Sequence, residues 1–348
     1  MNRFLYQLKN KKFISNFIEF QKTRKYKIIM FLIIVLVFLS IFLTMLFIYP
    51  FDNKQTIINN PSLVISANLL PLLVGIISGV GLSVAGAAMQ GVTKNALAGP
   101  TTLGFLPVAT LGIFVVKAAG FSKETYLFYI FAFIFSLIPL LINFFSNNFS
   151  NSSSNKVILI GLVFGSIITC VNAILSSRFP AIAENVQMWI GATDLSYFKG
   201  NTRWEKFYYS LPLIIIGLIL ILINCRKITI LESDSTLAFN LGINIKKLYW
   251  IVGISSILLT ISVVNLIGST VIIGIVIPHI IRGLFKTKNY FLITTGSSFL
   301  CATMLMIALY INTFYSLGIN LYASLISVPF FIYIIFFFVY YRIPLCFS

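Results

Sequence analysis

The sequence predicts an all-α, polytopic membrane protein with about ten transmembrane helices, on the strength of its composition and of the spacing of its apolar runs. Of 348 residues, 59% are apolar and 9% are charged, and the mean hydropathy is +0.99. A soluble domain carries roughly 25% charged residues. This chain therefore lacks the polar surface of a cytosolic or secreted globular enzyme, and its apolar content excludes disorder. A bilayer core about 30 Å thick takes roughly 20 apolar residues as a helix, and cutting the chain where Asn, Gly, Pro or charged residues interrupt the apolar runs leaves ten candidates.

The first 27 residues pair Phe4, Leu5, Leu8, Phe13, Ile14, Phe17 and Ile18 with many lysines. This segment reads as an interfacial amphipathic helix on membrane lipid or as a basic tail; residues 28–348 then form a single transmembrane domain. The first run, 28–49, is too long for a signal-peptide core and lacks a small-x-small cleavage site, so it is expected to remain as an anchor. Run 63–89 carries Gly75, Gly79, Ser83, Ala85, Gly86, Ala87 and Ala88, a small-residue face that lets neighbouring backbones approach closely in lipid. It should be central and buried. Runs 101–118, 126–145, 157–175, 207–223 and 248–266 follow; 271–285 is short, and 290–311 and 321–341 complete the set. The longest hydrophilic connections, 176–206 and 224–247, have room for short helices but neither can fold alone.

The net charge of +17 reports topology rather than a nucleic-acid partner, because basic residues accumulate in cytoplasmic loops. With the N-terminus inside, only Lys54, Lys117, Lys123, Arg178, Lys199, Arg203 and Lys206 of the 25 basic residues fall outside. Both termini are thus expected in the cytoplasm. Cys170, Cys225, Cys301 and Cys346 are widely separated and form neither a disulfide framework nor a metal-binding CxxC pair.

Catalytic signatures are missing. The chain holds one histidine, no HExxH, no GxSxG and no GxxxxGK[ST] to cradle ATP phosphates. The eight acidic residues map to tails and loops, and a proton-driven carrier usually needs an intramembrane carboxylate or histidine relay. No metal or catalytic site is expected.

The segment from Gly86 through Gln90, Asn95 and Pro100 to Gly104 reads GAAMQGVTKNALAGPTTLG, a polar turn between helices. It resembles the permease subunits of the iron-siderophore, haem and vitamin B12 ABC importers, the FecCD-like type II importers, whose segment runs SGAxxQxxxxNPLAxPxxLG. Gly274 to Arg282, with Pro278 and His279, is similar to that family's GLxxPHxxR; Leu237, Ala238, Leu241 and Gly242 resemble its ARxLGV; Trp189 and Gly191 resemble its WxxGS. Several motifs depart. Asn68 to Pro71 stands in place of RxPR, Tyr310 in place of an aspartate, and 319–323 keeps little of ExPxG.

The resemblance implies a type II ABC importer permease fold, with Leu231, Glu232 and the residues on to Gly242 forming coupling helices against an ATPase subunit; the plainer reading is a solvated loop whose Glu232 and Asp234 favour a helical first turn. For His279 the alternatives are a satisfied imidazole near a helix end and a contact to the ATPase. Ser153 and Ser154, before run 157–175, match an inner gate loop or a plain flexible connection. The implied partners are an ABC ATPase carrying ATP and Mg, a second permease (the same chain or a paralogue), an extracellular or periplasmic substrate-binding protein, and lipid. This chain itself would bind no cofactor. The implied cargo is a ferric siderophore, haem or cobalamin; an ion-coupled carrier or facilitator without an ATPase, and a membrane scaffold, are the competing classes.

Overall fold

The computed structural model describes residues 24–47, 61–121, 125–146, 154–190, 202–268 and 273–315, with positions 322, 325 and 328 also helical. The described residues form eleven helices: α1 (Arg24–Phe47), α2 (Pro61–Thr93), α3 (Phe105–Ala118), α4 (Thr125–Ser146), α5 (Ser154–Arg178), α6 (Pro180–Ile190), α7 (Thr202–Ser233), α8 (Ser235–Asn240), α9 (Ile245–Ile267), α10 (Ile273–Phe285) and α11 (Tyr290–Tyr315). Seven are long and apolar enough to cross a membrane, and α3 and α10 are shorter apolar helices. Nine of the ten predicted runs are thereby helical. The tenth lies largely outside the described residues, as does the basic segment before residue 24.

Helix α2 is the hub, packing against α1, α7, α9, α10 and α11. Its small residues explain this position. A Cβ at Gly79 would come within 2.6 Å of the Ala302 backbone on α11, and Gly75 faces Leu309 and Met306 of the same helix. Helix α1, by contrast, exposes Leu32, Leu36 and Leu43 and joins the bundle through Phe31 and Phe38, whose rings meet Phe299 edge-on at 5.8 and 5.3 Å.

Helices α2 and α7, of 33 and 32 residues, rise about 1.5 Å per residue and so outrun a 30 Å bilayer core by several turns. The apolar runs are shorter than these helices because polar residues near a bilayer edge interrupt an apolar run without ending the helix. Residues 224–233, expected in a hydrophilic connection, instead continue α7, and Glu205 and Glu232 lie near its two ends.

Side-chain amides explain how α3 is seated. Pro107 lies in its first turn, where a missing N–H costs no helical bond, and the carbonyl of Leu103, just before the helix begins, accepts from Asn143 Nδ2 of α4 at 3.1 Å. Asn172 of α5 donates to Pro107 O at 2.9 Å, and Ser136 to Phe105 O at 3.3 Å. Gly104, at φ 83°, packs against Gly161 and Gly165 of α5. These side-chain donors bond backbone carbonyls at the start of α3 and so join it to α4 and α5.

Candidate functional site

Three of the four segments singled out from the sequence meet at one end of the bundle; of the fourth, Trp189 lies on α6 and Gly191 outside the described residues. Helix α2 ends in a Schellman motif: Asn95 N–H donates to Gln90 O at 3.1 Å and Lys94 N–H to Gly91 O at 3.4 Å, with Lys94 left-handed at φ 53°. The chain then coils tightly. Asn95 Oδ1 accepts from Leu97 N–H at 2.9 Å, Thr102 Oγ1 accepts from Gly99 N–H at 2.8 Å, and Pro100 O accepts from Phe105 N–H at 3.0 Å. The polar turn is a built connection, and it leaves Leu97 exposed.

Gly86 and Gln90 are one helical turn apart and both reach α10. Pro278 cannot donate to Gly274 O, four residues earlier, and that carbonyl points at Gly86 so closely that any Cβ there would overlap it. The Gln90 side chain, fully buried, donates from Nε2 to Ile275 O at 3.0 Å. The glutamine of the first motif and the proline of the second are therefore two halves of one helix crossing. His279 is half-buried on α10 directly after Pro278.

The third segment splits. Leu231 and Glu232 belong to the end of α7, so the coupling stretch expected over residues 231–242 begins inside a long helix, and Glu232 does not favour a helical first turn as the plainer reading had it. Asp234 is the break: its carboxylate accepts from Thr236 N–H and Thr236 Oγ1, both at 2.8 Å, and starts α8. Those bonds hold its carboxyl below the usual range. Helix α8 stops in a second Schellman motif, Gly242 N–H to Phe239 O at 2.9 Å and Ile243 N–H to Ala238 O at 3.0 Å, with Gly242 at φ 73°. Asn244 then caps α9, accepting from Lys247 N–H at 3.0 Å. Between the two stops, Ala238 is buried, whereas Leu237, Phe239 and Leu241 are 47%, 76% and 61% exposed.

Beneath this tip, Glu232 Oε1 and Arg282 Nη1 pair at 3.3 Å, and Arg282 also donates to the Tyr290 hydroxyl. A Cβ at Gly91 would run into Ile228 of α7 and the Tyr290 ring, so α2, α7, α10 and α11 converge here. Burial lowers the Lys94 pKa, while the charges of Asp234 and Glu232 oppose the shift. Tyr290, Thr229, Asn143 and Asn172 were missed from sequence. The asparagines left a legible signal, since an amide in an apolar run is costly unless bonded; the others left none. Ser153 lies outside the described residues, and Ser154 is the first residue of α5, with its side chain outside them. Among the described residues no His, Cys, Asp and Glu cluster could hold a metal ion.

The fold and this end of the bundle define a multi-pass membrane permease. The chain belongs to the FecCD transport family, whose description matches residues 31–337. Among curated relatives, it is 26% identical over 308 residues to the Fe(3+)-citrate import system permease protein YfmD of Bacillus subtilis, covering 85% of this chain and 86% of that one. It is 25% identical over 258 residues to the petrobactin import system permease protein YclN of the same organism, covering 74% and 79%. With the iron(3+)-hydroxamate import system permease protein FhuG, also from Bacillus subtilis, it is 25% identical over 334 residues, covering 90% and 98%. Its fold is similar to a solved metal-chelate type ABC transporter in an inward-facing conformation, with a TM-score of 0.72, 20% identity, and coverage of 89% of this chain and 99% of that one.

Proposed function

We propose that this chain is the membrane subunit of an ABC importer that carries a ferric chelate into the cell, driven by a separate ATPase that binds ATP and Mg. The observation that carries the reading is α8, a short helix fixed at both ends that presents Leu237, Phe239 and Leu241 outward. Exposed apolar side chains so placed suit a protein partner. The relatives' names favour ferric chelates over haem or cobalamin as cargo.

In this reading α8 seats in the ATPase, both termini lie in the cytoplasm, a second permease (the same chain or a paralogue) completes the path, and an external binding protein delivers the ligand. Closure of the ATPase on ATP displaces α8, and the continuous α7 carries that motion into the bundle. The long helices lack a central carboxylate, which fits a transporter whose work comes from outside the membrane. Purification from native membranes in mild detergent, with identification of stoichiometric partners, tests the proposal. An ATPase that co-purifies and supports uptake of radiolabelled ferric citrate or ferric hydroxamate in proteoliposomes supports it. If no ATPase co-purifies, the ion-coupled alternative replaces it.

A further inference from the structure

A buried ion pair at this end is left unexplained by the helix crossing and the exposed tip. The Glu232 and Arg282 side chains are 4% and 12% exposed, too enclosed to be docking contacts themselves. Burying two charges costs more than their attraction returns unless further hydrogen bonds complete the site, and apolar residues of similar size would hold the helices at least as well. Tyr290 supplies part of that completion, accepting from Arg282 Nη2 with its ring centroid 5.1 Å from the guanidinium carbon, while Glu232 Oε2 and Arg282 Nε have no hydrogen-bond partner among the described residues. Tyr290 N–H donates to Thr229 Oγ1 at 3.0 Å, and Cys225 Sγ meets Thr294 Oγ1 at 3.8 Å. Residues 225, 229 and 232 thus form one stripe of α7 facing the end of α10 and the start of α11.

The connectivity gives the pair a mechanical position. Helix α8 hangs from the last turn of α7, which Glu232 ties to α10. At its other end α10 is held against α2 where Gly274 meets Gly86. Arg282 is therefore at the opposite end of this short helix, where its neighbours Ile281 and Phe285 are buried and pack against Gly296 of α11. We propose that Glu232, Arg282 and Tyr290 form a transmission joint that passes displacement of the α7–α8 tip to the α10–α11 corner, with Arg282 as a positioning residue. This rests on the reading of α8 as the element the ATPase moves.

The test uses the complex of this chain with its co-purified ATPase. All four native cysteines are replaced by alanine, and spin labels are placed at Asn240 on α8 and Gly283 on α10, both exposed; a Cβ at Gly283 meets nothing within 4 Å. With the joint intact, the 240–283 distance distribution stays narrow and unchanged between the nucleotide-free and ATP-bound states. In Arg282→Gln the distribution should widen at least twofold on ATP binding, and the exchanged pair Glu232→Arg with Arg282→Glu should narrow it again. Arg282→Lys, which keeps the charge, should stay closer to wild type than Arg282→Gln and covers the case in which the exchanged pair fails to fold. A wild-type response in Arg282→Gln overturns the joint alone. Absence of an ATPase from the wild-type preparation overturns the importer reading and the joint with it.

Discussion

The crossing of α2 with α10 and the tip helix α8 both depend on glycine, but for opposite reasons. At the crossing Gly86 is needed for space: its backbone is ordinary helix, and a Cβ would overlap Gly274 O. At the tip Gly242 is needed for conformation: nothing lies within 4 Å of where its Cβ would be, but φ is 73°, a region that costs an L residue roughly 1–2 kcal/mol. One glycine closes the interior around a carbonyl that proline has left without its donor. The other ends a helix so that three apolar side chains face outward. The crossing is explained wholly within the chain, whereas the tip leaves Leu237, Phe239 and Leu241 largely uncovered.

Substitutions separate the two regions. Gly86→Val should have the largest effect, because the overlap is with backbone and only separation of α2 from α10 relieves it. Overpacking costs about 1–3 kcal/mol where side chains can yield and more here, so we expect little monodisperse protein by size-exclusion chromatography in detergent. Leu237→Glu with Leu241→Glu should do the reverse. Exposed substitutions of this kind stay within about 0.5 kcal/mol of the parent stability, so the thermal melt is unchanged while recovery of ATPase falls at least tenfold. A melt that drops together with ATPase recovery would show that α8 is part of the core and sink the distinction. Gln90→Leu lies between: it deprives Ile275 O of its buried donor, a loss of about 1–3 kcal/mol, and should appear as a lower melting temperature.

How far the sequence revealed these regions follows the same division. The apolar runs were legible because lipid demands long apolar helices, and the centrality of α2 because small residues recur along one face. Glycine and proline in the crossing were visible as motifs, but their partnership was not: Gln90 and Ile275 are 185 positions apart, and no local pattern says which carbonyl an amide will satisfy. Glu232 and Arg282 present the same difficulty across 50 positions. The ends of α2 and α7 were misplaced because polar residues near a bilayer edge interrupt an apolar run without ending a helix. The helix stop at Gly242 was legible in kind, since glycine favours the left-handed position after a helix.

The smallest predicted effect concerns the cap of α8 and carries a pH signature. The Thr236 hydroxyl and N–H hold the Asp234 carboxyl below its ordinary value of 3.8, so folding favours the ionised form. Stabilisation from a depressed carboxylate is fully present above the unfolded value and lost as pH falls through the folded one. Asp234→Ala should therefore loosen α8 near neutral pH without disturbing the bundle, read as faster hydrogen exchange of the 235–240 amides, and the gap from wild type should be level through pH 5–8. Asp234→Asn, which keeps a capping oxygen but no charge, should preserve most of the protection with no carboxylate titration of its own. Equal exchange in wild type and Asp234→Ala would show that α8 is held by its attachments to α7 and α9 alone, and that the tip is shaped from behind rather than by its own cap.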